Sequence, residues 1–244
     1  MIISKTNEYI KHVKSLSEKK YRDEYDEYVV EGIKLVKEAI EEKMKIEKIL
    51  ICKELCSQEF DFENIEEVSL QVFKYISDTE SPQGVIAIIK KKNSTEKYGK
   101  IIFALDNLSD PGNLGTIIRT LDSAGINSLI LSKGSADLYN SKVVRSTMGA
   151  IFRINAEYTE NLQMKLLNLK EQGYKIIVTS LQTDKYIYDL PFKEKCVVVI
   201  GNESKGVSEN IIEIADIKTK IPMLRKNRKF ECSCCYKHYS LWSG

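Results

Sequence analysis

The sequence predicts an α/β protein with a mostly parallel sheet in its C-terminal part and a smaller α/β unit before it. Short apolar runs alternate with helical patterns from residue 101 onward, and this alternation is typical of βαβ units. The polar stretch at residues 90–100 has no apolar periodicity and predicts a connection between the two parts. A chain of 244 residues, 43% of them hydrophobic, can bury a core in one large or two modest domains.

Composition and charge exclude several classes of protein. No apolar run reaches the roughly 18 residues that a membrane helix needs, and the N-terminus lacks the apolar centre of a secretory signal. The 37 basic and 35 acidic residues nearly balance, so the net charge of +2 does not by itself indicate a nucleic-acid partner. Six cysteines without a secretion signal predict reduced thiols and a cytoplasmic protein.

The first predicted domain covers residues 1–94. Ile10, Val13 and Leu16 recur at helical spacing, and a second helical pattern follows at residues 33–40. Consecutive apolar residues predict strands at 49–51 and 85–89. Basic side chains near the N-terminus suit either RNA phosphates or a solvated helix face. They are Lys11, His12, Lys14, Lys19, Lys20 and Arg22.

The second predicted domain covers residues 100–223 and repeats strand and helix. Strands are predicted at residues 101–105, 128–131, 175–178, 196–200 and 218–221. Helices are predicted at residues 114–124, 141–148, 162–171 and 208–215. Because ligands of open α/β sheets bind beyond the carboxyl ends of the strands, the loops that follow the strands are the candidate sites.

The first candidate loop, residues 106–119, joins a strand to a helix. Pro111 and Gly112 turn the chain, and Asn113 is a residue type that caps helices. Arg119 follows six residues later, under two turns into the predicted helix. The spacing alone is compatible with a solvated arginine or with one that contacts a phosphate or a ribose hydroxyl.

The second and third loops carry weaker signals on their own. Gly201 and Gly206 allow a backbone to approach a ligand closely, and Ser208 is suited to cap the next helix. The segment is neither a Walker loop nor a dinucleotide fingerprint, because both glycine patterns are absent. In the third loop, residues 221–223, Pro222 ends a strand.

In this order the three loops resemble the motifs of the SpoU (TrmH-like) branch of the SPOUT superfamily, which are RNA ribose 2′-O-methyltransferases. The positions that carry the resemblance are Asn113, Gly115, Arg119, Gly201, Asn202, Glu203, Gly206, Ile221, Pro222 and Met223. Residues 142–150 resemble the family's helix and Ser-x-Gly-Ala segment. Residues 29–32 and 81–85 are similar to landmarks of its N-terminal substrate-binding domain.

The resemblance implies a trefoil-knotted α/β domain, a homodimer, S-adenosyl-L-methionine as cofactor and no metal. It implies catalytic roles for Arg119, Asn113 and Glu203, with Arg119 positioning or deprotonating the target 2′-hydroxyl. The cofactor-binding residues, acting mostly through backbone groups, would be Thr179, Ser180, Leu181, Gly201, Ile221, Pro222 and Met223. RNA contacts are expected at Lys11, Lys14 and Arg145. The separate N-terminal module favours ribosomal RNA, specifically 23S, over transfer RNA.

The last residues, 224–244, depart from the family pattern. The third motif should continue Gly-x-x-Glu-Ser-Leu-Asn-Val and an apolar helix, but a polar, cysteine-rich segment follows Leu224. Codons chosen for residues 225–244 and read one base later encode Gly-Lys-Ile-Glu-Ser-Leu-Asn-Val followed by apolar residues. This compatibility leads to the hypothesis of a frameshift near Leu224, with loss of the cofactor-closing helix and weak or absent methyl transfer.

Three alternatives remain at this stage. The chain could be a catalytically inactive, RNA-binding remnant of such an enzyme. It could be a nucleotide-binding metabolic enzyme, although the missing phosphate fingerprints argue against this. The tail could hold zinc through Cys232, Cys234, Cys235 and His238, but adjacent cysteines fit the usual Cys-x-x-Cys spacing poorly.

Overall fold

The computed structural model describes residues 1–95, 97–180, 183–186 and 194–220. These residues form two compact units. The first combines Met1–Asn93 with Asp137–Phe152, and the second contains Ser94–Ala136 and the described residues from Arg153 on. The first unit is therefore discontinuous, which differs from the contiguous ranges 1–94 and 100–223 expected from the sequence.

The first unit is built on a four-stranded mixed sheet. Its elements before residue 94 are α1 (Glu8–Ser15), α2 (Lys19–Tyr25), β1 (Glu27–Glu31), α3 (Ile33–Glu41), β2 (Ile46–Ile51), β3 (Ile65–Glu67), α4 (Leu70–Ile76) and β4 (Val85–Lys90). The strand order is β1-β4-β2-β3. Strand β4 is antiparallel to β1 and β2, whereas β3 is parallel to β2. Ile10, Val13, Phe73 and Ile86 belong to its buried core.

The rest of the chain adds the elements of a parallel sheet. They are β5 (Ile101–Leu105), α5 (Pro111–Ser123), β6 (Ser128–Ser132), α6 (Ser141–Ser146), β7 (Asn155–Thr159), α7 (Leu162–Glu171), β8 (Lys175–Thr179), β9 (Cys196–Ile200), α8 (Glu209–Ile214) and β10 (Ile217–Thr219). The strand order is β10-β8-β9-β5-β6-β7, and every neighbouring pair is parallel. The predicted α/β class, with its parallel sheet after a smaller α/β unit, is confirmed.

The buried strands explain why the sequence indicates this sheet so clearly. Strands β5, β6 and β9 are buried over four or five consecutive residues, because a parallel sheet is covered on both faces and its strands are continuous apolar runs. Strand β7 was not predicted. It is a half-buried edge strand with the sequence Asn-Ala-Glu-Tyr-Thr, which has no apolar run.

Residues 137–152 belong to the first unit because their side chains pack there. The Arg22 guanidinium is 4% exposed, donates to the carbonyls of Leu16 and Ser17 at 2.7 Å each, and also pairs with Asp137. The rings of Tyr28 and Tyr139 lie 4.6 Å apart. Helix α6 packs against β1, so this excursion from the parallel sheet completes the core of the first unit.

Candidate functional site

The predicted loops leave one edge of the parallel sheet. Strands β10, β8, β9 and β5 are consecutive neighbours in the sheet. Thr219 pairs with Thr179, and Leu105 pairs with Ile200, so the four strands end in register. Because parallel strands place their carboxyl ends at the same edge, the loops after β8, β9 and β5 start side by side.

Helix α5, which contains the end of the first loop, begins earlier in the chain than the sequence indicated. Helix α5 begins at Pro111, and its N-cap is Asp110, whose carboxylate accepts from the Asn113 backbone N–H at 2.6 Å. The expectation that Asn113 caps the helix is wrong. Instead, the Asn113 side-chain amide donates to Glu203 Oε1 at 3.2 Å. The first and second loops are thus joined through two of the residues that were singled out from the sequence.

Arg119 lies on the surface of α5. Its side chain is exposed, and it forms no hydrogen bond or ion pair with the part of the chain that the structure describes. It lies eight residues after Pro111, about 12 Å along the axis at 1.5 Å per residue. Helical side chains incline toward the helix N-terminus. The guanidinium is consequently available to an anionic or hydroxyl-bearing ligand on the side of the sheet where α5 begins.

The second loop, residues 201–207, is a closed hairpin. The backbones of Asn202 and Gly206 exchange two hydrogen bonds of 3.0 and 2.9 Å. A Cβ atom at Gly201 would lie 2.0 Å from the Gly206 carbonyl carbon, so this close approach requires glycine. Asn202 Oδ1 accepts from the N–H groups of Ser204 and Lys205 at 2.9 and 3.2 Å. The loop therefore has a fixed shape of its own.

A backbone carbonyl and a carboxylate of the first loop hold the two sides of this hairpin. Asn202 Nδ2 donates to the Asn107 carbonyl at 2.8 Å. Ser208 occupies the N-cap position of α8, but its hydroxyl donates to Asp106 Oδ2 at 2.5 Å and makes no capping bond to the helix. The sequence-based expectation of a capping serine is corrected by this contact. Asp106 directly follows a buried strand, and its position is the signal that could have identified it.

The other predicted cofactor residues lie at the same edge where the structure describes them. Thr179 ends β8, and its hydroxyl donates to the Val199 carbonyl at 3.4 Å. The Ser180 N–H donates to the Thr219 carbonyl at 2.9 Å. Leu181, Ile221, Pro222 and Met223 lie outside the described residues, as does the tail 224–244. Thr179, Ser180 and Gly201 thus share an edge through three adjacent strands.

The three predicted RNA-binding residues do not form a single cluster in the first unit. Lys14 and Arg145, which are far apart in sequence, line one groove together with Ser17, Tyr139 and Ser141. Lys14 Nζ also lies 5.5 Å from the Tyr75 ring centroid. Lys11 instead forms an exposed ion pair with Glu8 at 2.7 Å. The groove therefore unites two of the three predicted contacts.

Two members of the N-terminal basic stretch are paired with acidic side chains. Arg22 is buried in the network with Asp137. His12 Nε2 lies 2.6 Å from Glu27 Oε2. Neither side chain is therefore part of a solvated basic face.

Three further observations concern a buried thiol, metal binding and membrane-spanning helices. Burial raises the pKa of the Cys196 thiol to about 11, so this thiol at the start of β9 stays protonated. Among the described residues, no three His, Cys, Asp or Glu side chains form a group suited to a metal ion. Within the same residues, every helix is too short or too polar to cross a membrane.

Two family profiles match the chain. The profile of the SpoU rRNA methylase family matches residues 100–230. The profile of the MRM3-like substrate binding domain matches residues 7–87. Together the two matches extend over the parallel sheet and most of the N-terminal unit.

Individual relatives agree with the profiles. The 23S rRNA (guanosine(2553)-2′-O)-methyltransferase RlmP of Bacillus subtilis is 32% identical over 225 residues, which are 91% of this chain and 90% of that protein. The AdoMet-bound rRNA methyltransferase of Sinorhizobium meliloti superimposes with a TM-score of 0.87 and 27% identity, over 98% of this chain and 95% of that one. A TrmH-family structure from Porphyromonas gingivalis has a TM-score of 0.85 and 28% identity, over 97% and 96% of the chains.

Proposed function

The chain belongs to the SpoU rRNA methylase family, and we propose that it transfers a methyl group from S-adenosylmethionine to a ribose 2′-hydroxyl of ribosomal RNA, specifically 23S rRNA. The observation that carries the proposal is the hydrogen bond between Asn113 and Glu203 at the carboxyl edge of the sheet. It joins the two loops on which the family's motifs lie, and α5 carries an exposed arginine beyond the first of them.

The described residues fit an adenosyl cofactor at this edge. Gly201 has no side chain and is held against Gly206, so the strand end is occupied by backbone alone. The hydroxyls of Thr179 and Ser180 lie at the end of the adjacent strand. Backbone polar groups and small hydroxyls are suited to the adenosine moiety, and the Glu203 carboxylate complements a positively charged ligand. We propose Thr179, Ser180, Leu181, Gly201, Ile221, Pro222 and Met223 as the cofactor-binding residues.

When bound, S-adenosylmethionine supplies an electrophilic methyl group on a positively charged sulfur. Arg119 orients the ribose 2′-hydroxyl and stabilises the negative charge that develops on its oxygen, because arginine remains charged in proteins. Asn113 and Glu203 hold the two loops at a fixed separation, which keeps the hydroxyl and the methyl group aligned. The oxygen–carbon bond would form as the methyl–sulfur bond breaks, and the hydroxyl proton would pass to water.

Substrate RNA is proposed to contact the N-terminal unit as well. Lys14 and Arg145 line one groove, and two cations at such a surface neutralise phosphates of an RNA backbone. Lys11 is an additional contact when an RNA phosphate replaces Glu8 as the partner in its exposed ion pair. The match of the N-terminal unit to a substrate binding domain supports this role.

Assembly and location follow from family membership as part of the proposal. We infer a homodimer with a trefoil-knotted parallel-sheet domain, acting in the cytoplasm on ribosomal RNA. Residues 1–94 are proposed as the substrate-binding domain and residues 100–223 as the methyltransferase domain, apart from 137–152, which pack in the first unit, with 224–244 as an aberrant tail. Light scattering of the purified chain tests the dimer, since a monomeric mass contradicts it.

The experiment that tests the activity compares two chains. Methyl transfer to 23S rRNA is measured for the present chain and for one in which residues 225 onward are replaced by the frame-shifted reading. Activity in either supports the enzyme. The departure after Leu224 favours an inactive RNA-binding remnant as the second candidate. Absence of methyl transfer by both chains, with RNA binding retained, would establish that alternative.

A further inference from the structure

We propose that Asp106 is a positioning residue that fixes loop 201–207 in the conformation that receives the cofactor. The inference rests on the proposed function, because the loop carries Gly201 and Glu203. It adds a residue that does not itself touch the reacting atoms and that acts through the loop.

One aspartate holds both ends of the loop. The Asp106 N–H donates to the carbonyl of Ile200, the residue before the loop, at 2.8 Å. Its Oδ2 accepts from the N–H and the hydroxyl of Ser208, the residue after the loop, at 2.7 and 2.5 Å. The two ends of loop 201–207 are therefore fixed to a single residue of β5's carboxyl end.

The carboxylate is buried and its hydrogen bonds are satisfied from two sides. Asp106 is 3% exposed, and its Oδ1 accepts from Asn107 Nδ2 at 2.8 Å. A buried carboxylate is costly unless donors surround it. Here the donors are Ser208, which follows the hairpin, and Asn107, whose backbone carbonyl also accepts from Asn202. Loss of the charge thus weakens the anchoring of the whole loop.

The anchoring extends to the catalytic groups. Glu203 lies within the anchored loop and accepts from Asn113. A loop held at both ends has little conformational freedom to lose when a ligand binds, so its preformed shape favours affinity. We therefore expect loss of the anchoring to change cofactor affinity more than it changes the rate of the chemical step.

The test uses Asp106→Asn, which keeps the size of the side chain but presents an amide to donors. We expect the Kd for S-adenosylmethionine, measured by calorimetry, to rise about tenfold, since hydrogen bonds to charged groups are lost. In the absence of cofactor, hydrogen exchange should accelerate at Gly206 and Ser208. In the assay above, KM for the cofactor should rise more than kcat falls.

Two further variants guard against a purely structural effect. Ser208→Ala removes one of the donors and should show a smaller rise in Kd, whereas Ser208→Thr keeps the hydroxyl and should bind normally. The matched control is Asp216→Asn. Asp216 accepts from the Ile176 N–H at 2.8 Å at the opposite end of β8. Its loss should lower stability while leaving Kd unchanged.

The outcomes separate the inference from the function that it rests on. Failure of the present chain and of the frame-repaired chain to bind S-adenosylmethionine contradicts the proposed function. Unchanged hydrogen exchange in loop 201–207 of D106N contradicts the positioning role, whatever the activity. An equal rise in Kd for D216N would also overturn it, since the effect would then be general destabilisation.

Discussion

Two arginines, one in each unit of this chain, are used in opposite ways. In the parallel-sheet unit, Arg119 is exposed and makes no ion pair with the described residues. In the N-terminal unit, Arg22 is buried and bound to Asp137 and two carbonyls. Both arginines lie in helices, Arg22 in α2 and Arg119 in α5. The comparison teaches that the surroundings of a basic residue, rather than its sequence pattern, decide whether it supports structure or is available to a ligand.

The largest expected effect tests the exposed arginine. Arg119→Ala should lower kcat for methyl transfer about 10²- to 10³-fold, because the group proposed to stabilise the developing charge is removed. The measurement is a single-turnover assay in whichever chain is active. The control is Lys100→Ala, which should retain activity. Lys100 is an exposed cation just before β5, at the end of the strand away from the loops. Equal losses in both variants would contradict a specific role for Arg119.

The buried arginine should affect stability and not chemistry. Arg22→Met should lower the free energy of unfolding by about 3 kcal/mol, because Asp137 is left as a poorly solvated charge. Urea denaturation measures this change. Lys11→Ala is the control, since Lys11 and its partner Glu8 are 53% and 88% exposed and exposed pairs contribute less than about 1 kcal/mol. A variant of Arg22 as stable as the wild type would remove the distinction between the two units.

The Asn113–Glu203 contact predicts coupling within the proposed catalytic site. Asn113→Ala and Glu203→Ala should each lower kcat/KM, and the double variant should be little worse than the more severe single one. The coupling should be about 1 kcal/mol for this hydrogen bond. The exposed pair of Asn210 and Gln163, at 3.0 Å, is the matched control. Additive effects at Asn113 and Glu203 would show that the two loops act independently.

The smallest expected effects concern RNA binding by the N-terminal unit. Lys14→Ala and Arg145→Ala should each weaken RNA binding and reduce the salt slope by about one. Filter binding at several salt concentrations measures both quantities. Lys133→Ala is the control, because Lys133 is an exposed lysine of the other unit and lies outside the groove. An unchanged salt slope would place the RNA on a different surface.

Much of the fold was accessible from the sequence because its signals are local. The apolar runs of β5 and β9 are five residues long, and helix α7 was predicted at its observed bounds. Strand β7 escaped prediction because an edge strand needs no apolar run. The loops with Asn113 and Glu203 were recognisable because a strand and a helix bracket each of them.

What the sequence determined by itself is the parallel sheet and the set of loops at its carboxyl edge, since strand direction fixes where each loop begins. The tertiary structure alone decided which groups meet there. It made Asp110 the cap of α5, directed Ser208 to Asp106 and enclosed Arg22. These outcomes depend on contacts between residues distant in the chain, and local spacing carries no information about such contacts.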